Sequence, residues 1–155
     1  MKKHQDNFVI NHTPIPASRP RVTRYATFYT KSYTKYRKLI YPLVKSMRIQ
    51  KEKGAVQIDI VFYMPIPKSW NDVLRTMYGS GVENNMKSIR KNQKSIFENK
   101  YCPTGADVDN LAKALLDALN GIAFDDDSQV AIINIQKRYS NNPRTEFKIK
   151  EVNND

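Results

Sequence analysis

The pattern of apolar and polar positions along the chain predicts β-strands in four places. Two of these runs are strong: one, rich in β-branched and aromatic residues, stops before Pro65, and the other alternates with a period of two up to Val152. The turn-forming residues Asn141, Asn142 and Pro143 predict that the last two strands form a hairpin. The predicted strands cover residues 7–12, 55–64, 129–136 and 145–152.

Apolar residues spaced three and four apart predict helices in the remaining stretches. Residues 31–49 show this spacing, although Pro42 predicts a kink or a break near residues 38–42. A second helix is expected to begin with Asp109 as its N-cap and to end at Asn120. Weaker patterns predict two further helices, over residues 70–79 and 85–98.

Strands and helices in this order are typical of an α+β domain. A chain of 155 residues is long enough for one hydrophobic core, so we predict a single domain over residues 1–155. Its expected architecture is a mixed β-sheet with helices packed on one face. Residues 80–106 are rich in Asn, Lys and Ser and predict a basic insertion, either flexible and solvated or in contact with a substrate.

Charge is unevenly distributed along the chain. The net charge is +11, yet six of the 15 acidic residues and only one of the 26 basic residues lie within residues 107–127. Such a positive excess favours a polyanionic partner, usually nucleic acid, although solvated lysines of a basic protein are the simpler alternative. A membrane-surface partner is disfavoured, since no basic amphipathic helix stands out, and no apolar run approaches the roughly 20 residues that span a bilayer. Cys102 is the only cysteine, which excludes an internal disulfide and fits a reducing compartment.

Basic and aromatic residues are interleaved between Arg19 and Lys38. Arginine and lysine contact phosphates, and aromatic rings stack on bases, so this stretch is a candidate nucleic-acid contact. The alternative is a helix whose tyrosines are half-buried. The candidate DNA-binding residues are Arg19, Arg21, Arg24, Lys31 and Lys100.

The acidic window contains an amphipathic helix. Asp109, Lys113 and Asp117 follow one another at intervals of four residues and so form one polar row. The opposite arc is apolar and is expected to face the core. Its members are Leu111, Leu115, Leu116, Ala118 and Leu119.

Carboxylates lie on both sides of this helix. Asp107 and Asp109 are two residues apart, and in an extended lead-in their side chains would project to the same side. The run Asp125–Asp127 can return a third carboxylate to this pair. Three converging carboxylates repel one another unless some are protonated or a cation binds, and hard oxygen ligands suit Mg²⁺ or Mn²⁺. Taken singly, the same residues are also typical of a helix cap, a surface ion pair and a polar turn.

At these residues the sequence resembles the RusA family of Holliday junction resolvases, found in bacteria and in many of their phages and prophages. The motif is Asp-x-Asp-Asn-Leu-x-Lys-x-x-x-Asp-x-Leu from Asp107, followed by a glycine and by Asp-Asp-x-Gln-Val ending at Val130. The weaker resemblance extends over most of the chain. It implies a RusA-like fold.

By motif position, the resemblance assigns site residues. The implied catalytic residues are Asp107, Asp109, Asp127 and Lys113, and the three aspartates among them are the implied metal ligands. Because the final aspartate run allows a choice of register, the Gln129-Val130 anchor favours Asp127 as the ligand, then Asp126, then Asp125. Candidate residues supporting the ligands are Asp126, Asp117 and Asn110.

The resemblance also implies an activity. The expected protein is a Mg²⁺-dependent endodeoxyribonuclease, with Mn²⁺ as a substitute, that acts as a homodimer on four-way DNA junctions. It would make paired symmetric nicks in recombination and repair, leaving 5′-phosphate and 3′-hydroxyl ends. It would need no membrane and no small-molecule cofactor, and would work in the cytoplasm of a bacterial host, encoded by the host or by a phage or prophage.

Two other functions are weighed against this one. A nucleotidyltransferase would place Gly79-Ser80 before an Asp-x-Asp pair, but the spacing to Asp107 is too long and Asp109 begins a helix. A non-catalytic DNA-binding protein would have no use for three converging carboxylates, which repel phosphate in the absence of a metal.

Overall fold

A computed structural model of the chain describes residues 6–67 and 97–153. The helices predicted over residues 70–79 and 85–98 fall wholly or almost wholly outside this part, as does Gly79-Ser80. The described elements are β1 (Phe8–Ile10), β2 (Arg21–Val22), β3 (Thr27–Phe28), α1 (Lys31–Ser46), β4 (Val56–Pro65), α2 (Val108–Leu119), β5 (Val130–Ser140) and β6 (Arg144–Glu151). A short 3₁₀ turn over Asp127–Gln129 immediately precedes β5.

Four of the strands form one mixed sheet, in the order β1-β6-β4-β5. β4 and β5 are parallel, while β6 is antiparallel to both β4 and β1. Every second residue of β4, from Val56 to Met64, is buried, and the residues between them are half-buried. This alternation places one face of the sheet in the core, which confirms the strand predicted over residues 55–64.

The predicted hairpin of the last two strands is wrong, because β4 lies between β5 and β6. Ser140 at the end of β5 is level with Pro65, and Arg144 at the start of β6 is level with Tyr63. The intervening turn therefore crosses the end of β4. Glu98 holds this crossing: its carboxylate accepts hydrogen bonds from Ser140 Oγ at 2.6 Å and from the backbone N–H of Asn141 at 2.7 Å. The central position gives the most apolar strand two hydrogen-bonded edges.

Helix α1 is continuous through Pro42, so of the two outcomes expected near residues 38–42, a kink or a break, the break is wrong. Pro42 is exposed, and water can satisfy the carbonyl whose helical partner the proline removes. Thr30 caps the helix by accepting a hydrogen bond from the N–H of Tyr33 at 3.4 Å. The buried face carries Tyr33, Tyr36, Ile40 and Val44.

Helix α2 begins two residues earlier than predicted. Asp107, rather than Asp109, is the N-cap, so Val108 and Asp109 lie in the first turn and the expected extended lead-in is wrong. Gly121 follows the C-cap with φ +77°, a conformation that favours glycine. The buried face is mostly the predicted one. It consists of Leu111, Ala112, Ala114, Leu115, Ala118 and Leu119, while Leu116 is only partly buried.

The described end of the predicted basic insertion is tied to the sheet. Phe97 is fully buried against Tyr139, with ring centroids 6.2 Å apart. The N–H groups of Asn99 and Cys102 donate to the carbonyls of Tyr139 and Lys137, both at 2.9 Å. These bonds add an irregular backbone segment to the outer edge of β5; the remainder of the insertion, residues 80–96, lies outside the described part.

The architecture confirms the predicted fold class. The chain is a single α+β domain in which α1 and α2 contact each other and pack on one face of a mixed sheet, α1 against β1 and α2 against β5. Within residues 6–67 and 97–153, no helix is long and apolar enough to cross a membrane.

Candidate active site

The N-terminal end of α2 presents two of the predicted carboxylates. Asp107 adopts an extended N-cap backbone, yet its side chain makes no capping hydrogen bond. An N-cap aspartate normally accepts a hydrogen bond from the N–H two or three positions further on. Asp107 and Asp109 are both exposed. The positive end of the helix dipole stabilises their negative charge, and Asp107 remains available to a ligand.

The third carboxylate belongs to the turn before β5. Asp125 forms an ion pair with Lys51. Asp126 caps the 3₁₀ turn, accepting hydrogen bonds from the N–H and the hydroxyl of Ser128, and these bonds lower the pKa of its carboxyl group. Within the described residues, the Asp127 side chain has no hydrogen bond or ion pair of its own. Asp127 is therefore the aspartate of this run that is free to bind a ligand.

Gln129 fixes the turn that carries these aspartates. Its Oε1 accepts hydrogen bonds from the N–H groups of Asp125 at 2.8 Å and Asp126 at 3.3 Å. Its Nε2 donates to the carbonyls of Gly54 at 2.9 Å and Glu52 at 3.3 Å. One amide thus ties the turn to the segment leading into β4. The sequence carries a signal for this role of Gln129, since Asp126-x-x-Gln129 follows the spacing of a capping box.

Lys113 lies on the polar row of α2 and is held in place. Its Nζ donates to Asp117 Oδ1 at 2.9 Å, and Tyr33 Oη donates to Asp117 Oδ2 at 2.7 Å. The hydrogen bond to Asp117 raises the pKa of Lys113, and the negative charge of Asp127 raises it further. The lysine therefore stays charged well above neutral pH and lies within the electrostatic reach of Asp127.

Tyr33 is a site residue that the sequence analysis missed. Its ring is buried on α1, and its hydroxyl reaches Asp117, 84 positions further along the chain. Burial is the main cause that raises the pKa of Tyr33, and the hydrogen bond to Asp117 raises it further. A usable signal was present, since a tyrosine on an apolar helix face needs a polar partner for its hydroxyl.

The family model for the endodeoxyribonuclease RusA matches residues 11–150. The chain belongs to the RusA family. It is also similar to the uncharacterized protein YqaN of Bacillus subtilis (strain 168), with 33% identity over 150 residues that cover 94% of this chain and 95% of that protein. The resemblance read from the acidic motif is thereby confirmed, and the RusA family implies an endodeoxyribonuclease that acts on DNA.

RusA-family nucleases generally depend on a divalent metal. Among residues 6–67 and 97–153, no group of three His, Cys, Asp or Glu side chains is arranged to hold a metal ion. The structure thus does not gather Asp107, Asp109 and Asp127 into a complete ligand set, and their assignment as ligands stays a prediction. The chemistry of the donors nevertheless fits a hard cation, because all three are carboxylates without a protein hydrogen-bond partner in the described residues.

The predicted DNA-binding residues are all exposed, but they lie in different places. Arg19 lines a pocket that also contains Lys113, Asp117 and Asn110. Asn110 supports this region through its carbonyl, which accepts from the Ala17 N–H at 2.9 Å. Lys31 begins α1, and Lys100 pairs through its carbonyl with the outer edge of β5.

Arg21 and Arg24 belong to a small exposed β-ribbon formed by β2 and β3. Its turn is closed by Thr23, whose N–H donates to the carbonyl of Ala26 at 2.8 Å. Tyr25 at the tip is 88% exposed, and the Arg24 guanidinium lies 5.9 Å from its ring centroid. The ribbon presents paired basic and aromatic side chains, and its role as a nucleic-acid contact stays a prediction.

Proposed function

We propose that the chain is a metal-dependent endonuclease that resolves four-way DNA junctions by paired symmetric nicks in recombination and repair. One observation supports this most strongly. In a RusA-family chain, Asp107 and Asp109 are exposed and have no side-chain hydrogen bond at the start of the helix whose polar row carries Lys113, and the Asp127 carboxylate is likewise unpaired within the described residues.

In this proposal Asp107, Asp109 and Asp127 hold Mg²⁺, with Mn²⁺ as a substitute. When bound, such an ion supplies an activated water and stabilises negative charge on the scissile phosphate. The helix dipole at the start of α2 supports the charge of the first two carboxylates. Gln129 keeps the Asp127 turn in place through its bonds to the backbone of Glu52 and Gly54.

Lys113 would bind a non-bridging oxygen of the phosphate and stabilise the charge that develops there. An ordinary lysine is already protonated at neutral pH, and the raised pKa of Lys113 keeps its ammonium group charged to higher pH still. Asp117 and Tyr33 act as positioning residues, because the hydrogen bonds from Lys113 and Tyr33 to the Asp117 carboxylate restrict the lysine. The net charge of +11 then attracts the DNA as a whole, so binding should weaken steeply with salt.

Further parts of the proposal come from family resemblance. A four-way junction has paired equivalent strands, and a homodimer would present one active site to each of two strands. The protein would work in the cytoplasm of a bacterial host, encoded by the host, a phage or a prophage.

The test is a cleavage assay with a synthetic four-way junction and a linear duplex of the same sequence, in Mg²⁺ or Mn²⁺. We expect paired symmetric nicks in the junction and none in the duplex. Asp109→Asn should abolish the nicks and retain junction binding, whereas Asp6→Asn, an exposed aspartate outside the acidic segment, should cleave normally. Binding without cleavage in either metal would instead identify a non-catalytic DNA-binding protein.

A further inference from the structure

A polar pocket of about 420 Å³ lies between the segment before β2 and the two helices. Lys113 lines it and is also influenced by the charge of Asp127, so the pocket adjoins the candidate active site. The other lining residues are Ala17, Ser18, Arg19, Pro20, Tyr29, Tyr33, Arg37, Asn110, Asp117 and Asn120.

The walls of this pocket are connected by hydrogen bonds. The Ala17 N–H donates to the Asn110 carbonyl at 2.9 Å, which joins the first wall to α2. The Thr30 N–H donates to Ser18 Oγ at 3.1 Å, which joins the same wall to the start of α1. The pocket is therefore held open by the fold before any ligand arrives.

Arg37 is a cation of this pocket that lies outside the acidic motif. Its guanidinium carbon lies 5.4 Å from the ring centroid of Tyr29 and 5.6 Å from that of Tyr33, so two aromatic rings restrict the side chain. In the part of the chain that the structure describes, neither Arg37 nor Arg19 forms an ion pair with a carboxylate.

The pocket is consequently positive. It holds Arg19, Arg37 and Lys113 against the single carboxylate of Asp117, which already accepts hydrogen bonds from Lys113 and Tyr33. A planar guanidinium with fixed orientation matches the oxygen atoms of a phosphate group, and the pocket has no competing free carboxylate.

We propose that this pocket binds one phosphodiester of the DNA strand, adjacent to the phosphate contacted by Lys113, with Arg37 as its main ligand. The inference rests on the proposed nuclease function and extends it, because it makes the strand approach the acidic site through a second fixed phosphate contact. Arg37 sets the position of the strand and takes no part in the chemistry. A nucleobase stacked on Tyr29 is the competing occupant.

The test measures binding to four-way junctions that carry a single neutral methylphosphonate at each phosphate around the cleavage site. The proteins are full-length Asp109→Asn, so that the DNA stays intact, alone and combined with Arg37→Gln, Arg37→Lys or Lys35→Gln. Lys35 is the matched control, since it is exposed on α1 two residues from Arg37, about 200° around the helix, and does not line the pocket.

We expect one methylphosphonate position beside the cleavage site to weaken binding about tenfold. Arg37→Gln should weaken binding to unmodified DNA by the same factor. Binding by this variant should no longer respond to a methylphosphonate at that one position, while its response at every other position stays that of the parent protein. Its salt dependence should fall by about one unit of log–log slope. Arg37→Lys should keep part of the effect, and Lys35→Gln should behave like the parent protein.

The inference is overturned if Arg37→Gln remains as sensitive as the parent at every position, or if Lys35→Gln shows the same loss of sensitivity. If binding weakens when a base is replaced by an abasic site but does not respond to any methylphosphonate, the occupant of the pocket is a nucleobase. This result would also overturn the inference. Cleavage of the unmodified junction by the native chain is measured separately. Absence of cleavage contradicts the proposed function, whereas cleavage without phosphate coupling contradicts the pocket alone.

Discussion

Tyr33 on α1 donates a 2.7 Å hydrogen bond to Asp117 on α2, and the other oxygen of the same carboxylate accepts from Lys113 at 2.9 Å. This contact connects the packing of the two helices to the position of the only basic residue in the acidic segment. Through Asp117, the hydroxyl of Tyr33 thereby helps to set the position of the Lys113 side chain at the surface.

Replacing Asp117 should make Lys113 easier to deprotonate. The hydrogen bond and charge of Asp117 raise the pKa of Lys113, so the charged form persists to higher pH than in an ordinary lysine. In Asp117→Asn this support is lost, and the pKa of Lys113 should move down. Side-chain NMR of the lysine ammonium groups, with Lys113 assigned through Lys113→Arg, measures the shift. An unchanged titration would show that Asp117 does not control the lysine.

Tyr33→Phe should separate positioning from folding. The substitution removes one hydroxyl that donates to a carboxylate, so the free energy of unfolding should fall by about 1–2 kcal/mol. The turnover rate for junction cleavage should fall several-fold, with the pKa of Lys113 shifted as well, because Asp117 is less restricted. Tyr41→Phe is the control, since Tyr41 is an exposed tyrosine on the same helix. Urea unfolding and cleavage kinetics are both measured. If the variant loses stability but cleaves normally and the pKa of Lys113 does not shift, the role of Tyr33 is structural only.

Gln129→Ala should loosen the turn that carries Asp127. Four hydrogen bonds of the Gln129 amide are lost, and partial replacement by water leaves an expected cost of about 2 kcal/mol. Gln129→Glu keeps the acceptor for the Asp125 and Asp126 N–H groups but turns a carboxylate toward two carbonyls, so it should be no more stable than Gln129→Ala. Urea unfolding checks both variants, and an unfolding free energy equal to that of the native chain would contradict this role.

Tyr25 tests the exposed ribbon. Because its side chain is 88% exposed, Tyr25→Ala should leave the free energy of unfolding within about 0.5 kcal/mol of the native value. Loss of one base–aromatic stack should weaken junction binding by about 1–3 kcal/mol. Tyr25→Phe keeps the ring and should retain the affinity. Equal affinities for all three proteins, measured by fluorescence anisotropy, would remove the ribbon from the DNA interface.

The parts of the fold that depend on local pattern could be predicted from the sequence. The β-branched and aromatic run of β4 and the apolar arc of α2 both match the structure, because both sets of side chains are buried in the core. The pairing of β5 and β6 could not be predicted, since it depends on which strand takes the centre of the sheet. The helix runs through Pro42 without a break, and the position of this proline on the exposed face, where water can reach the freed carbonyl, depends on the tertiary packing of α1.

In the candidate site, too, features that are local in sequence could be predicted and long-range contacts could not. The acidic motif and Lys113 are close in sequence, so their spacing was informative. The Tyr33–Asp117 contact spans 84 positions, and the bonds of Gln129 to Glu52 and Gly54 span 77 and 75. Contacts of this range exist only once the helices and strands have packed, and no periodic pattern in the sequence specifies them.

We propose that Asp127, and not its neighbour Asp125, belongs to the catalytic carboxylates. The most direct measurement is the rate of junction cleavage in Mg²⁺ by Asp127→Asn and Asp125→Asn, two substitutions of identical chemistry in the same turn. Asp127→Asn should lower the rate by about a hundredfold or more while retaining junction binding. Asp125 pairs with Lys51 at the surface, so Asp125→Asn should stay within about twofold of the native rate. Normal cleavage by Asp127→Asn, or inactivation by Asp125→Asn alone, would contradict the account.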